Sequence, residues 1–296
     1  MNEITSKMQQ IARELLGKNE VQVILGWEKG AFWFQSSPVA VRKIEEVGKL
    51  VWDEFGIQNL ANFLLDYRDS DEKIGIFVKG CDSRAVNRLL QDNQFPRERL
   101  YVIGVPCGGK KDPQEAGSGK YTEAAQVPLA PKCQTCAYPN PVIYDALLGE
   151  PVASRPAADR FKAVTELENM TPDERYDFWA KQFEKCLRCY ACRNVCVCCS
   201  CRECIFEQTR PQWVGRETSL AENQMYHLIR ALHVAGRCVE CGECERVCPV
   251  GIPLMLLNEK IIKDINELFG PYDAGVSLEA KPPFGFFKTS DPEEFM

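Results

Sequence analysis

The chain has 296 residues, of which 36 are Lys or Arg and 42 are Asp or Glu, so its net charge is −6. This mild acidic excess has no basic stripe, and a nucleic-acid partner is disfavoured because phosphate recognition needs clustered cations. No apolar run reaches the roughly 20 residues that span a bilayer. We therefore expect a cytoplasmic protein without direct membrane insertion.

Cysteine is the unusual residue of this chain. There are 16 cysteines, and most of them lie between Cys186 and Cys248. A secreted disulfide scaffold is disfavoured, since such domains are short and follow a signal peptide, whereas this sequence starts Met1-Asn2-Glu3-Ile4-Thr5 without an apolar segment. The thiols are therefore expected to be metal ligands in a reducing compartment.

The first 150 residues alternate between helical and strand patterns. Apolar spacing predicts helices over 1–16 and 39–55, strands over 21–25, 73–78 and 100–105, and a further helix after the strand at 73–78. Asp82 or Ser83 is expected to be the N-cap of that further helix, whose amides would face an anionic site. The strand–helix–strand order predicts an α/β domain over residues 1–150 with a short parallel sheet.

Four cysteines fall in this half: Cys81, Cys107, Cys133 and Cys136. The first two directly follow predicted strands, and the carboxyl ends of parallel strands share one edge of a sheet, where ligands collect. The other two form a Cys-x-x-Cys pair, so the four thiols are expected to bind one 4Fe-4S cluster. The alternatives are a zinc site, for which the pair supplies half of the ligands, and plain packing of buried thiols.

Three segments in this half carry a resemblance to a known family. They are Lys79-Gly80-Cys81-Asp82-Ser83-Arg84-Ala85, Gly104-Val105-Pro106-Cys107 and Cys133-x-x-Cys136-x-x-Pro139-x-Pro141-x-x-x-Asp145. Over roughly residues 70–150, the chain resembles the beta subunits of deazaflavin-reducing hydrogenases and formate dehydrogenases. The resemblance implies an iron-sulfur cluster beside FAD and exchange of two-electron equivalents with the deazaflavin. Only about 70 residues precede the region of resemblance, and few lie between Asp145 and the predicted linker, which argues against a complete FAD pocket.

Proline and small residues at 149–158 predict a linker, which we extend over 151–170. A helical domain is predicted over 171–275. Its helices begin at the capping box Thr171-Pro172-Asp173-Glu174, at Ser219-x-x-Glu222, and at Pro253. A C-terminal tail follows over 276–296, and its segment Pro282-Pro283-Phe284-Gly285-Phe286-Phe287 is expected either to pack on its own domain or to dock on a partner.

Two cysteine runs dominate the second half: Cys186-x-x-Cys189-x-x-Cys192-x-x-x-Cys196 and Cys238-x-x-Cys241-x-x-Cys244-x-x-x-Cys248-Pro249. In such loops the fourth cysteine typically ligates the other cluster of a pair. The helical surroundings resemble the dicluster 4Fe-4S (α-helical) ferredoxin domains of heterodisulfide-reductase-type electron-transfer subunits. A compact βαββαβ ferredoxin is disfavoured, because it spaces its motifs more closely.

The ferredoxin resemblance implies a ligand set for each of two clusters. One set is Cys186, Cys189, Cys192 and Cys248, and the other is Cys238, Cys241, Cys244 and Cys196. One departure from the pattern is Val197, which stands where the pattern has proline.

Four further cysteines remain: Cys198, Cys199, Cys201 and Cys204. They could hold a fourth metal site, either another 4Fe-4S cluster or zinc, and Cys196 could join Cys199, Cys201 and Cys204 there instead of the second run. Adjacent side chains of an extended chain point to opposite faces, so Cys198 and Cys199 need a turn to bind one metal. Three clusters are expected, and the fourth site stays open.

Other polar side chains give weaker signals. His227 and His233 lie on different faces of one predicted helix and are expected to be structural. Lys110 and Lys111 are either solvated or steer an anionic cofactor. Five arginines among the cysteines are expected to offset cluster charge or to form surface salt bridges: Arg188, Arg193, Arg202, Arg237 and Arg246.

These patterns predict an iron-sulfur electron-transfer subunit of an anaerobic oxidoreductase complex, with no catalytic residue assigned. Its partners would be the other subunits of a hydrogenase, a formate dehydrogenase or a heterodisulfide-reductase-like assembly. Two alternatives remain open. One is an FAD-bearing subunit that reduces or oxidises a deazaflavin or nicotinamide, and the other is a zinc-stabilised interaction protein.

Overall fold

The structure, a computed structural model, describes residues 2–154 and 160–285. The chain divides into two compact units. The first unit comprises Met1–Ala158 and Gly275–Leu278, and the second comprises Asp159–Ala274 and Glu279–Met296. Within the described residues, no helix has both the length and the apolar character needed to cross a membrane.

The first unit is built on a five-stranded sheet with the strand order β2-β1-β3-β4-β5. The strands are β1 Val23–Lys29, β2 Ser36–Val41, β3 Ile74–Val78, β4 Leu100–Gly104 and β5 Ala146–Leu147. β1, β3, β4 and β5 are parallel, while β2 pairs antiparallel with β1. The predicted α/β class is confirmed. The sheet is mixed rather than purely parallel, because the β1–β2 hairpin adds an antiparallel edge strand.

The helices of the first unit are α1 Glu3–Gly17, α2 Gly80–Gln91, α3 Pro113–Gly117 and α4 Pro131–Gln134. α1 follows the prediction closely, and Asn2 caps it by accepting a hydrogen bond of 2.8 Å from the Thr5 N–H. Every residue of β3 is buried, as expected for an uninterrupted apolar run in a parallel sheet.

The predicted helix over 39–55 is wrong. Its first residues belong to β2, and a 3-10 helix, Ile44–Lys49, follows. In β2, Val41 pairs with Ile24 of β1 and is fully buried. Strand pairing and burial of β-branched side chains therefore override the helical spacing of the apolar residues.

The regular elements that the structure describes in the second unit are all helical. They are α5 Lys162–Glu168, α6 Pro172–Glu184, α7 Ala191–Asn194, α8 Leu220–His233, α9 Glu243–Arg246, α10 Leu254–Phe269 and the 3-10 turn Pro283–Gly285. The predicted capping box of α6 is confirmed: the Glu174 N–H donates to Thr171 Oγ1 at 3.3 Å, and the Thr171 N–H donates to Glu174 Oε2 at 2.8 Å.

Aromatic and aliphatic side chains from these helices pack around the cysteine loops. The buried cluster contains Phe183, Cys186, Cys192, Phe206, Val214, Tyr226, Cys244, Ile252, Leu254 and Met255. Three cysteines thus lie inside the core itself. Cys186 and Cys192 anchor the first loop in the core, while Cys189 between them is exposed.

Two predicted segments are only partly described. α5 lies within the predicted linker, whose residues 155–159 are outside the described residues. In the tail, Phe284 meets Phe269 edge-on with ring centroids 5.4 Å apart. Phe286 and Phe287, to which the docking hypothesis also referred, lie outside the described residues.

Candidate metal centres

The four cysteines of the first unit line one cavity. Cys81 lies in the first turn of α2, Cys107 follows β4, Cys133 lies in α4, and Cys136 follows α4. Together they wall a cavity of about 490 Å³, counting the part open to solvent. Four thiols around one space are the donor set that a 4Fe-4S cluster requires, so the residues present fit this group.

The junction of β3 and α2 positions Cys81. Lys79 is the N-cap of α2, so the prediction of Asp82 or Ser83 as N-cap is wrong. Asp82 is completely buried, and its carboxylate accepts hydrogen bonds from the Lys79 N–H at 2.8 Å and the Leu60 N–H at 3.1 Å. The Lys79 ammonium completes the site with an ion pair of 2.8 Å. Asp82 is therefore engaged in fixing the turn that presents Cys81.

A close backbone approach brings the Cys136 segment to the same turn. A Cβ atom added to Gly80 would lie 1.9 Å from the carbonyl oxygen of Tyr138. The Cys107 N–H donates to the Pro139 carbonyl at 2.9 Å. The chain after Cys136 is thus held against both other cysteine positions, and only glycine permits the first of these contacts.

Three lysines line the same cavity: Lys79, Lys110 and Lys132. Lys110 is 3% exposed, and its ammonium donates to the Asp53 carbonyl and lies 3.3 Å from the centre of the Trp52 ring. Burial lowers the pKa of Lys110 to about 8. The interpretation of Lys110 as a solvated cation is therefore wrong.

The surroundings of Cys81 have opposite effects on the pKa of its thiol. Burial, and then the Asp82 carboxylate, raise the pKa of the Cys81 thiol, while Lys79 and Lys132 act in the opposite direction. Binding of a metal group would favour the thiolate over the thiol, because coordination deprotonates the thiol. The lysines would then offset the negative charge of the thiolates.

A second cavity lies in the helical unit. It has a volume of about 330 Å³, counting the part open to solvent. Its walls include Cys186, Cys189, Cys192 and Cys248. This is the set that the ferredoxin resemblance implies for one cluster: three cysteines of the first run and the last cysteine of the second. The donor set again fits a 4Fe-4S cluster.

The two cysteine runs have the same backbone course. In each run, the residues on either side of the second cysteine have positive φ: Arg188 at 53° and Tyr190 at 59° in the first, Glu240 at 55° and Gly242 at 66° in the second. The third cysteine of each run then lies in a short helix, α7 or α9. Non-glycine residues rarely adopt this conformation, so its repetition indicates that both loops are shaped for the same purpose.

Backbone N–H groups point at several of the cysteine sulfurs. The donor–acceptor pairs are Lys110 to Cys133, Tyr138 to Cys136, Arg188 to Cys186, Glu240 to Cys238 and Ile252 to Cys248. The bonds from Arg188 and Ile252 measure 3.4 and 3.3 Å. Hydrogen bonds to ligand sulfur stabilise thiolates and raise the reduction potential of a cluster that they bind.

Cys196 lies near cysteines of both ligand sets to which it could belong, the second run and the dense stretch after Cys196. Hydrogen bonds from Cys198 and Cys199 lower the pKa of its thiol well below the usual value. Cys196 is also near enough to Cys238 and Cys244 to raise the pKa of each thiol, although burial is the larger cause at both. The structure therefore brings Cys196 to the second run and to the dense stretch alike.

A turn resolves the expected geometric conflict between Cys198 and Cys199. The Cys199 N–H donates to the Cys196 carbonyl at 2.9 Å, so both following thiols reach Cys196. Cys204 lies near Cys199, whereas Cys201 is exposed. In residues 2–154 and 160–285, no three Cys, His, Asp or Glu side chains gather closely enough to hold a single metal ion. A 4Fe-4S cluster is larger than one ion and holds its thiolates farther apart.

Helix α8 presents a polar face to these cysteines. Asn223 donates to the Cys186 carbonyl at 3.1 Å, the Tyr226 hydroxyl lies 3.3 Å from Cys192 Sγ, and Arg230 donates to the Cys192 carbonyl at 3.0 Å. His227 lines the second cavity and is 2% exposed. In the part of the chain that the structure describes, neither of its ring nitrogens has a hydrogen-bond partner.

Comparison with known proteins finds a family model that matches part of the chain. Residues 71–205 match the family model for the C terminus of the beta subunit of coenzyme F420 hydrogenase/dehydrogenase. The predicted resemblance to the beta-subunit family is confirmed. The match extends past the predicted limit of about 150 and includes the first cysteine run and the dense stretch that follows it.

Individual relatives of the beta-subunit family align over most of the chain. The F420-dependent formate dehydrogenase subunit beta of Methanocaldococcus jannaschii is 22% identical, over 91% of this chain and 91% of that protein. The F420-dependent formate dehydrogenase 1 subunit beta of Methanococcus maripaludis is 24% identical, over 92% of this chain and 90% of that protein. A chain of the F420-reducing NiFe hydrogenase complex from Methanosarcina barkeri is 19% identical, over 39% of this chain and 44% of that chain, with a TM-score of 0.33.

The polar face of α8 was missed by the sequence predictions, except for His227, which was assigned a structural role. A signal existed in the spacing: Asn223, Tyr226, His227 and Arg230 recur at intervals of three and four residues, the period of one helix face. These side chains would ordinarily indicate a solvated face. Here Met225, Leu228 and Leu232 are exposed instead, so the polar face is the inner one.

Proposed function

We propose that the chain is an iron-sulfur electron-transfer subunit of a multi-subunit oxidoreductase complex. The observation that carries this proposal is the cavity of the first unit, which four cysteines from separate segments line. Four thiols in one cavity are unusual in a protein that only needs to pack its core. The names of the relatives, beta subunits of formate dehydrogenases, support the same function.

Three 4Fe-4S clusters are proposed, with one set of four cysteine ligands each. The sets are Cys81, Cys107, Cys133 and Cys136; Cys186, Cys189, Cys192 and Cys248; and Cys238, Cys241, Cys244 and Cys196. A fourth metal site would use Cys198, Cys199, Cys201 and Cys204 for a further cluster, because no three such side chains of the described residues lie close enough together to hold a zinc ion. The shared backbone course of the two runs supports the second and third sets.

Each bound cluster would supply one-electron chemistry, accepting and releasing single electrons without proton transfer to substrate. The residues of the chain have supporting roles. Cysteine thiolates bind, backbone N–H groups donate to ligand sulfurs, and Lys79, Lys110 and Lys132 offset negative charge in the first cavity. The buried aromatic side chains around the second cavity exclude water and thereby protect the bound sulfur.

The partners proposed are the other subunits of a complex of the formate dehydrogenase or hydrogenase type. The relatives are named as subunits of F420-dependent formate dehydrogenases. Such a complex provides a donor or acceptor subunit at each end of the electron path, which a chain without an assigned substrate pocket requires.

A second candidate function is an FAD-bearing subunit that exchanges electrons directly with coenzyme F420. The names of the two relatives, which specify F420 dependence, favour this candidate. It differs from the first by one requirement, a bound flavin in stoichiometric amount.

One anaerobic preparation of the full chain tests both candidates. Iron, acid-labile sulfide, zinc and flavin are counted per chain, and the reduced protein is examined by electron paramagnetic resonance. We expect about twelve iron atoms for three clusters of four irons each, rising by four if the fourth site is also a cluster. Colourless protein that contains zinc and no sulfide would refute the electron-transfer function, and stoichiometric flavin with unaided F420 reduction would establish the second candidate.

Cysteine variants test whether the first cavity binds a cluster. Cys107→Ala should remove one cluster and about four irons per chain, because its thiol is one of the four that line the cavity. Ile44→Ala is the control, since this side chain is exposed on the same unit and no proposed ligand set includes it. Equal iron content in wild type and Cys107→Ala would contradict the assignment.

A further inference from the structure

Arg230 is a buried cation close to cysteines of both runs. It lies on α8, and its side chain is 3% exposed. One Nη2–H donates to the carbonyl oxygen of Cys192 at 3.0 Å. Its Nε–H has no hydrogen-bond partner within the described residues. The guanidinium is thus held in the interior by a single neutral acceptor.

Carboxylates do not compensate this charge. Among residues 2–154 and 160–285, no Asp or Glu forms a salt bridge with Arg230. Two of the arginines singled out in the sequence behave differently: Arg193 pairs with Glu207 at 2.8 Å and Arg246 pairs with Glu243 at 2.7 Å. A buried charge without a partner costs several kcal/mol, so buried cations are normally paired with anions.

Four cysteines lie near the Arg230 guanidinium. Burial acts to lower the pKa of Arg230, but the neighbouring cysteines raise it by more, so the net shift is upward. These cysteines are Cys244, Cys196, Cys199 and Cys192. Cys192 belongs to one proposed cluster, and Cys196 and Cys244 belong to the other. Metal binding would hold the thiols of both runs as thiolates beside this guanidinium.

We propose that Arg230 is a counter-ion shared by the two iron-sulfur clusters of the helical unit and that its charge raises the reduction potential of both. The inference rests on the proposed function. Reduction adds one electron to a group that four thiolates already make negative, and a nearby buried cation favours the more negative state. Arg230 acts as a positioning and tuning residue and does not ligate metal.

Arg188, which lines the second cavity, provides a matched comparison. It is 6% exposed, and it donates to the carbonyls of Glu222 at 2.8 Å and Gly215 at 2.7 Å. Its charge acts on Cys186, a ligand of one proposed cluster. Arg188 is therefore expected to affect that cluster alone.

The test is a redox titration of the full chain, purified anaerobically, with each cluster followed by its electron paramagnetic resonance signal. Arg230→Gln should lower the midpoint potentials of both clusters in the helical unit. Arg188→Gln should lower only that of the cluster on Cys186, Cys189, Cys192 and Cys248. Arg230→Lys keeps the charge and should leave both potentials closer to wild type than Arg230→Gln does.

Each outcome decides the matter. Unchanged potentials in a fully loaded Arg230→Gln variant, or a change in only one of them, would overturn the shared role. If Arg230→Gln loads no cluster, Arg230→Lys is decisive: loading restored by the lysine supports the counter-ion, and failure of both variants overturns it. Wild-type protein without two such signals would instead refute the proposed function.

Discussion

The thiol sulfur of Cys192 and the hydroxyl oxygen of Tyr226 lie 3.3 Å apart in the core of the helical unit. Tyr226 is 1% exposed, and its ring meets those of Phe206 and His227 edge-on. Burial and the Cys192 thiol raise the pKa of Tyr226. The hydroxyl therefore keeps its proton and is the donor when Cys192 is a thiolate.

Tyr226→Phe removes this hydrogen bond and keeps the ring. Because a donor to ligand sulfur favours the reduced cluster, we expect a lower midpoint potential for the cluster that Cys192 binds and little change in the others. Loss of a buried hydrogen bond should also destabilise the unit by about 1 kcal/mol. Redox titration and denaturant unfolding measure the two effects. Tyr176→Phe, at an exposed position of α6, is the control, and an equal potential shift there would refute the explanation.

Gly80→Ala should disrupt the first cavity. The added Cβ would lie 1.9 Å from the backbone oxygen of Tyr138, so either α2 or the segment after Cys136 must move. We expect destabilisation of the first unit by about 1–3 kcal/mol, as for overpacked cores, and loss of one cluster's iron. The measurements are thermal unfolding and iron content.

Gly48→Ala is the matched control, because a Cβ there meets nothing within 4 Å. Wild-type stability in Gly80→Ala would show that the two backbones do not approach as closely as described.

The grouping of Cys196 can be decided by two variants. If Cys196 ligates the cluster of the second run, Cys196→Ala removes that cluster's signal and about four irons per chain, while Cys199→Ala leaves it intact. If Cys196 belongs to the dense stretch, the two variants affect the same site. Mössbauer and electron paramagnetic resonance spectra distinguish these results. The thiol contacts of Cys196 to Cys198 and Cys199 make the second result a specific alternative.

His227 should make stability depend on pH. Burial, and then Arg230 and Arg188, lower the pKa of His227 to about 3. In the unfolded chain the imidazole has an ordinary pKa near 6.5. Between about pH 3 and 6.5 the imidazole is therefore protonated in the unfolded chain and neutral in the folded protein. Stability is therefore full above about pH 6.5 and falls as the pH decreases below it.

His227→Phe should flatten this dependence, since the aromatic stack on Phe183, with ring centroids 4.8 Å apart, is retained. The free energy of unfolding at pH 7.5 and pH 5.5 gives the slope for each variant. His233→Gln is the control, because His233 is an exposed residue of the same helix. A slope in His227→Phe equal to that of wild type would contradict the prediction.

The local features of the chain were predictable from sequence. Three local features depend only on neighbours within a few residues: the capping box at Thr171, the apolar run of β3 and helix α1. Their sequence patterns can therefore be recognised without knowledge of the tertiary structure. The spacing inside each cysteine run is local in the same sense. The family resemblance also rested on short segments, and the family match confirms it.

Features that depend on distant parts of the chain were decided only by tertiary structure. Val41 is in a strand because β1 is available to pair with it, and Lys110 is buried because Trp52 and the Asp53 carbonyl enclose it. Neither partner can be identified from the local pattern.

The amino-acid sequence by itself determined which residues carry thiols and how they are spaced, and this spacing predicts that they bind metal. Only the tertiary structure brought Cys81, Cys107, Cys133 and Cys136 to one cavity and turned the polar face of α8 inward. The physical reason is that burial and long-range contact are properties of packed elements. A residue such as Arg230 acquires its role only when the helix that carries it is placed against its neighbours.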